Sequence, residues 1–164
     1  MKTLLLLRHA KSSWKDDGLD DHDRPLNKRG KRDAPRMGAL LSEYRLVPEV
    51  IVTSTAKRAR KTAKKVAMSS DYNGETIERS ELYHASPKVY LKELRRLSDD
   101  VNRAMLVGHN PGLEEFLELL SGTYEVLPTA AIVHLTAPVT SWQDWPIDGS
   151  ANLHSIWRPK EMLL

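Results

Sequence analysis

The sequence predicts an α/β fold in which a mostly parallel sheet is covered by helices on both faces. Short apolar runs alternate along the chain with segments of helical periodicity, which is typical of parallel strands joined by crossover helices. The length of 164 residues suits one compact domain, which we expect to span residues 1–164. Hydrophobic residues make up 40% of the chain, enough for a packed core and too many for disorder.

The first elements are a strand, a long loop and a helix. An apolar run at residues 3–7 predicts the strand, and a polar loop continues through Pro25. Residues 27–45 have helical periodicity. Because proline breaks the hydrogen-bond ladder inside a helix, we expect Pro35 to kink this helix or to mark its true start.

The rest of the chain continues the alternation of strand and helix. The segments are 49–53 (strand), 55–68 (helix), 76–78 (strand), 87–97 (helix), 103–107 (strand), 113–120 (helix), 131–135 (strand) and 153–157 (strand).

Three of the predicted strands are followed by charged or imidazole side chains. The first strand ends at Arg8 and His9, the second is followed by Arg58, and the fourth is followed by His109. In open α/β sheets, sites form beyond the carboxyl ends of the strands. If these strands are parallel neighbours, two histidines and two arginines face one crevice.

Such a set of side chains suits phosphoryl transfer. Guanidinium groups match phosphate oxygens bidentately and stay charged at any relevant pH. Neutral imidazole is available as a nucleophile near neutral pH. Two arginines and a second histidine could supply the stabilising positive charge without a metal. One histidine could therefore accept a phosphoryl group, which water could then release.

Composition excludes several other classes of protein. The chain has no cysteine, which excludes disulfide scaffolds, thiolate zinc sites and cysteine nucleophiles and fits the cytoplasm. The longest aliphatic run, residues 4–7, is far too short to span a bilayer, so we expect no membrane partner. The net charge is only +3, and an acidic stretch at 16–23 offsets the basic run at 57–65, so we expect no nucleic-acid partner.

Five ordered sequence blocks resemble the histidine phosphatase superfamily, and within it the small phosphohistidine phosphatases of the SixA kind. The blocks are LLLLRHAKSSW, DHDRPLNKRG, STAKRARKTA, ELYHAS and VGHNPG. The resemblance implies a single histidine phosphatase domain with the three-layer α/β/α fold that is called phosphoglycerate mutase-like. It also implies that no cofactor and no metal is required.

The resemblance further implies the role of four residues. His9 is similar to the nucleophile that becomes phosphorylated, and Arg8 to the arginine that binds the phosphoryl oxygens. Arg58 is similar to the second phosphate-binding arginine, and His109 to the second histidine of the phosphate pocket. Ser12 could donate its hydroxyl to the phosphate, or could be an ordinary loop serine.

The general acid is left open. Larger members of the superfamily carry an acidic residue, typically a glutamate after the third strand. The block ELYHAS differs from the mutase pattern at this place. Asn110 stands where acid-phosphatase relatives have an aspartate. A phosphoramidate substrate is consistent with this, because its leaving nitrogen can be protonated before attack. The carboxylate candidates are Asp20, Asp21, Asp23 and Glu81.

Several neighbouring residues have interpretations of their own. We expect Arg24 to serve structure, and the acidic stretch at 16–23 to be a solvated loop because it lacks calcium-loop spacing. Lys11 is interpreted as solvated, although it could screen phosphate charge. Tyr83 and His84 either line the mouth of the substrate site or have no special role.

Taken together, these patterns predict a cytoplasmic phosphatase that forms a phosphohistidine on His9. The preferred substrate is a phosphohistidine on a protein, with a small phosphorylated metabolite as the alternative. The hypothesis from another class is a non-catalytic module that binds phosphate or nucleic acid through the basic run at 57–65. The sequence predicts no particular oligomeric state.

Overall fold

The computed structural model describes residues 1–162 and contains one six-stranded sheet with helices on both faces. The strands are β1 (Lys2–Arg8), β2 (Val50–Ser54), β3 (Glu75–Arg79), β4 (Arg103–Gly108), β5 (Ile132–Ala137) and β6 (Asn152–Trp157). The α-helices are α1 (Lys28–Glu43), α2 (Lys57–Ser69), α3 (Pro87–Arg95) and α4 (Gly112–Ser121). Short 3-10 turns occupy Asp21–Asp23, Ser80–Leu82, Trp142–Asp144 and Pro159–Met162.

The strand order β3-β2-β4-β1-β5-β6 places the predicted site strands side by side. The first four strands in this order pair in parallel, whereas β5 and β6 pair antiparallel at one edge. The prediction of an α/β fold with a mostly parallel sheet is confirmed. Because β2, β4 and β1 are parallel neighbours, their carboxyl ends meet at the same edge of the sheet.

Alternation along β1 explains how the sheet is covered on both sides. Leu4 and Leu6 lie in the core against α3 and α4, while Leu5 and Leu7 lie in the core against α1 and α2. All four side chains are fully buried. A strand buried on both faces is apolar at every position, and this is why the run at residues 3–7 is continuous rather than alternating.

Helix α1 runs without a break from Lys28 to Glu43, with Pro35 inside it. Its start is fixed by Asn27, whose side-chain oxygen accepts a hydrogen bond from the backbone N–H of Gly30 at 2.9 Å. Pro35 therefore does not mark the start of the helix. None of the helices within residues 1–162 combines the length and the apolar composition that crossing a bilayer requires.

Candidate active site

A cavity of about 210 Å³ opens beside the carboxyl ends of β1, β2 and β4. All five residues singled out by the sequence line this one cavity: Arg8, His9, Ser12, Arg58 and His109. The other lining residues are Lys11, Trp14, Arg24, His84, Asn110 and Thr129. Among these five, Arg8 and His109 are 101 positions apart in the sequence, and folding brings them to the same cavity.

His9 is buried beside the end of β1, with only 7% of its surface exposed. Its Nδ1 lies 2.7 Å from the carbonyl oxygen of Ala10. Because a carbonyl can only accept a hydrogen bond, Nδ1 carries the proton and the lone pair is on Nε2. Burial, with the charges of Arg58 and Arg8, lowers the pKa of His9 to about 3. The ring is therefore neutral near pH 7, as a nucleophile requires.

His109 lies against His9, with 5.1 Å between the two ring centroids. Its Nε2 is 2.8 Å from the hydroxyl of Ser54, and that hydroxyl also accepts from the N–H of Ala56 at 3.2 Å. Ser54 can therefore donate its own proton to Nε2, which leaves Nδ1 of His109 as an N–H donor. Burial, together with His9 and Arg58, lowers the pKa of His109 to about 3.

The two predicted arginines are held by different partners. Arg8 donates from Nη1 to the carbonyl of Leu127 at 2.9 Å. Arg58 donates from Nη1 to the Asp21 carbonyl at 2.7 Å and from Nη2 to the Asp21 carboxylate at 3.0 Å. Within residues 1–162, Nε of both arginines and Nδ1 of His109 are buried without a protein partner. Buried donors without a partner are rare, and three on one cavity indicate an anion-binding site.

Asp21 contradicts the interpretation of the acidic stretch as a solvated loop. Its carboxylate accepts hydrogen bonds from Arg58, Arg24 and the hydroxyl of Tyr83. Although burial favours the protonated form, the hydrogen bonds from Tyr83 and Arg58 hold the pKa of Asp21 well below its usual range. An ionised Asp21 orients Arg58 and has no proton to give, so the geometry does not support it as a general acid.

The other carboxylate candidates do not reach the cavity. Asp20, Asp23 and Glu81 are exposed, and the Glu81 carboxylate accepts a hydrogen bond from its neighbour Ser80 at 3.0 Å. Of all the residues described between 1 and 162, no aspartate or glutamate lines the cavity. The structure therefore places none of these carboxylates where a leaving group would sit.

Arg24 does more than the structural role that we expected. It lines the cavity, and its Nη1 donates to the hydroxyl oxygen of Ser12 at 2.8 Å. Its guanidinium also stacks over the ring of Trp14, 3.4 Å from the ring centroid. Sequence reasoning missed Trp14, which stays 70% exposed at the rim. The available signals were the positions of Trp14 at the end of the block LLLLRHAKSSW and of Arg24 inside the block DHDRPLNKRG.

Tyr83 and His84 have different places. His84 lines the cavity with a side chain that is 61% exposed, whereas Tyr83 does not line it and binds Asp21. Asn110 and Thr129 also line the cavity, and Asn110 donates to the carbonyl of Leu127 at 2.8 Å. Thr129 comes from the loop before β5, in the sequence PTAAIVHL, which also resembles the superfamily.

Thr62 joins the loop after β1 to the helix that carries Arg58. Its hydroxyl accepts from the N–H of Ala10 at 2.9 Å and donates to the carbonyl of Arg58 at 2.6 Å. Thr62 is fully buried on α2. The Thr62 side chain thus connects the loop after β1 with helix α2 through two hydrogen bonds.

Comparison with known proteins places the chain in a family. The family described as histidine phosphatase superfamily (branch 1) matches residues 4–82. An uncharacterised chloroplastic protein of Arabidopsis thaliana is 35% identical over 157 residues, which are 87% of this chain and 70% of that protein. An uncharacterised protein of Mycobacterium tuberculosis is 38% identical over 120 residues, covering 71% and 73%. The chain belongs to the histidine phosphatase superfamily.

A solved structure supports the same assignment at the level of the whole chain. It is a crystal structure from Agrobacterium tumefaciens that carries the provisional name phosphohistidine phosphatase SixA. It is 28% identical, has a TM-score of 0.83, and covers 96% of this chain and 98% of that one. This member of the superfamily is SixA-like and has a phosphoglycerate mutase-like fold, as predicted. It is a phosphatase.

Proposed function

We propose that this histidine phosphatase hydrolyses phosphohistidine on a protein, through a covalent phosphohistidine intermediate on His9. The observation that carries the proposal is the state of His9, which is neutral and has its Nε2 lone pair free. It shares a cavity with two arginines and a second histidine. Positioned cations and N–H donors are what phosphoryl transfer requires of a protein.

In the first half of the proposed reaction, the substrate phosphoryl group moves to His9. Arg8, Arg58 and the Nδ1–H of His109 bind its oxygens, and Ser12 has a hydroxyl proton to add. Nε2 of His9 attacks phosphorus, and the P–N bond to the substrate imidazole breaks, so that the substrate nitrogen keeps the electron pair and takes up a proton. The Nδ1–H bond to the Ala10 carbonyl stabilises the positive charge that develops on the ring of His9.

In the second half, water attacks the phosphorus of phosphorylated His9 and the P–N bond breaks. The products are inorganic phosphate and neutral His9, and one proton of the attacking water is released from the phosphoryl centre. The same arginines stabilise the charge in both halves, because both displacements pass through a trigonal-bipyramidal arrangement around phosphorus with the same three equatorial oxygens.

One feature of the cavity rim supports a protein as the substrate, and one feature of the cavity lining supports phosphohistidine as the group attacked. Trp14 stands 70% exposed at the rim, and exposed tryptophans are enriched where proteins bind one another. The cavity is lined by cations and holds no carboxylate among the described residues, which suits a leaving group that accepts a proton easily. The nitrogen of a phosphohistidine is such a leaving group.

The proposed intermediate can be trapped directly. Incubation of the enzyme with a phosphorylated protein, followed by rapid quenching, should give a phosphate on His9 that is labile in acid and stable in base. His9→Ala should give none, whereas His154→Ala, which alters an exposed histidine on β6, should match the wild type. Full turnover by His9→Ala would end the proposal.

The substrate class needs a separate comparison. We expect kcat/KM to be higher for a phosphohistidine protein than for phosphoramidate or sugar phosphates, with and without a chelator. A preference for a sugar phosphate would favour the small-metabolite alternative, and loss of activity in chelator would contradict a metal-free mechanism.

A further inference from the structure

The described cavity contains all the groups for binding and attack but none of the carboxylates that could protonate a leaving group. Three histidines line it. His9 is the proposed nucleophile, and His109 is buried with its Nε2 on Ser54. His84 remains, and imidazole is the side chain whose charge ordinarily changes between pH 5 and 8.

His84 lies at the mouth of the cavity, beside Asp21 and Tyr83. Its Nε2 lies 3.6 Å from the carboxylate of Asp21, and its ring lies against that of Tyr83 with 4.0 Å between centroids. The ring of His109 is 5.9 Å away on the side of the phosphate-binding groups. The other ring nitrogen, Nδ1, is not engaged with Asp21 and is the one that can face a substrate.

The backbone at His84 is in the left-handed region, with φ at 55°. Few residues other than glycine adopt this conformation, and histidine and asparagine are among the more frequent exceptions. Conformations of this kind cluster at active sites, where surrounding structure holds a side chain in place. Here the 3-10 turn at Ser80–Leu82 ends two residues before His84.

We propose that His84 is the general acid of this phosphatase, with the Asp21 carboxylate as its positioning partner. The proposal rests on the proposed function of the site. As Nε2 of His9 attacks phosphorus and the bond to the leaving atom breaks, the proton on Nδ1 of His84 passes to the leaving atom. In the second half, neutral His84 takes the proton of the attacking water, so the free enzyme regains its starting state.

This arrangement links phosphate binding to proton transfer through one carboxylate. Asp21 accepts from Arg58, which faces the phosphate, and lies beside His84, which faces the leaving group. The charged or titratable groups around His84 are Asp21, Tyr83, His109 and, across Tyr83, Arg58. The Asp21 carboxylate lies beside Nε2 of His84 and can therefore orient the imidazole ring.

The test is a series of aryl phosphates whose leaving groups differ in their need for a proton. His84→Asn is the variant of choice, because asparagine tolerates the left-handed backbone and its amide cannot act as an acid. We expect kcat/KM for phenyl phosphate to fall by about 100-fold, the lower end of general acid–base contributions. For dinitrophenyl phosphate, whose leaving group departs as an anion, we expect little change.

Two further measurements keep the result specific. Because the His84 side chain is 61% exposed, added imidazole should reach the space that His84→Gly leaves and restore activity on phenyl phosphate. Glu81→Gln is the matched control, and it should follow the wild type across the whole series. A leaving-group-dependent loss in Glu81→Gln, with His84→Asn normal, would assign the acid to Glu81 and overturn the proposal.

The outcomes separate this proposal from the proposed function. An equal loss for every aryl phosphate in His84→Asn, or no loss at all, overturns the role of His84. In either case the phosphate trapped on His9 would still support the covalent route. Absence of any phosphate on His9 in the wild type would instead remove the proposed function itself.

Discussion

At the scale of single residues, the site keeps two histidines neutral at the cost of stability in acid. Burial lowers the pKa of His9 and of His109 to about 3 in the folded protein. In the unfolded chain a histidine titrates near 6.5. Below that pH the unfolded state binds more protons than the folded state, so stability falls as the pH falls from about 6.5 toward 3.

We therefore predict that the melting temperature decreases between pH 7 and pH 4, measured by calorimetry across a pH series. His9→Gln should flatten the dependence, because it removes one of the groups that takes up a proton on unfolding. His134, whose pKa burial and His154 lower to about 4, contributes in the same direction. A melting temperature that stays constant over this range would contradict the prediction.

Most of the residues that sequence reasoning identified lie at the ends of strands, and Arg58 lies near the start of the helix that follows β2. Arg8, His9 and His109 could be predicted because a strand end fixes their position without knowledge of any other contact. Asp21 could not be predicted, since its role depends on Arg58, which lies 37 positions away in the chain. The same holds for Arg24, whose contact with Ser12 exists only after the loop folds back over the cavity.

At the scale of elements, the start of α1 is built against the loop that forms the cavity. A β-carbon on Gly30 would lie 2.2 Å from the backbone carbonyl oxygen of Lys11, so helix and loop are in direct contact there. Lys11 lies between His9 and Ser12 in the loop. The position of α1 therefore bears directly on the geometry of the site.

We predict that Gly30→Ala lowers both the melting temperature and kcat. Helix propensity alone would make the substitution stabilising by up to about 1 kcal/mol, but the overlap with backbone forces a shift that costs about 1–3 kcal/mol. Thermal unfolding and turnover of an aryl phosphate measure the two effects.

Ala39→Gly is the matched control on an exposed position of the same helix. It should cost about 1 kcal/mol of stability through propensity and leave kcat unchanged. Normal kcat in Gly30→Ala would show that the loop is independent of α1.

Most of the helices and strands could be predicted because the spacing of apolar residues within a segment shows which of its side chains are buried. The direction of β5 could not, because an antiparallel strand buried on both faces has the same apolar pattern as a parallel one. The effect of Pro35 was also misjudged in part. The cap at Asn27 and the packing of the inner face keep residues 28–43 helical despite the missing N–H.

At the scale of the whole molecule, the net charge of +3 is unevenly distributed between helices α1 and α2 and the rest of the chain. Helices α1 and α2, which form one layer, carry five and six lysines and arginines against two acidic residues. The rest of the chain then has 14 basic residues against 20 acidic ones. The layer that contributes Arg58 to the cavity is thus strongly positive. Such a field attracts negatively charged partners and raises their rate of association.

This charge distribution predicts that an acidic phosphoprotein reacts with a kcat/KM that falls as salt is added, because screening weakens the attraction. The double variant Lys31→Glu and Lys61→Glu, on α1 and α2, should lower that kcat/KM several-fold and leave turnover of an aryl phosphate unchanged.

The control is the double variant Lys88→Glu and Lys92→Glu, which makes the same change of charge on α3 in the opposite layer and should have little effect on kcat/KM. Equal losses in both pairs would mean that only net charge matters. Stronger inhibition by duplex DNA than by the unphosphorylated protein would instead favour nucleic acid as the partner of this surface.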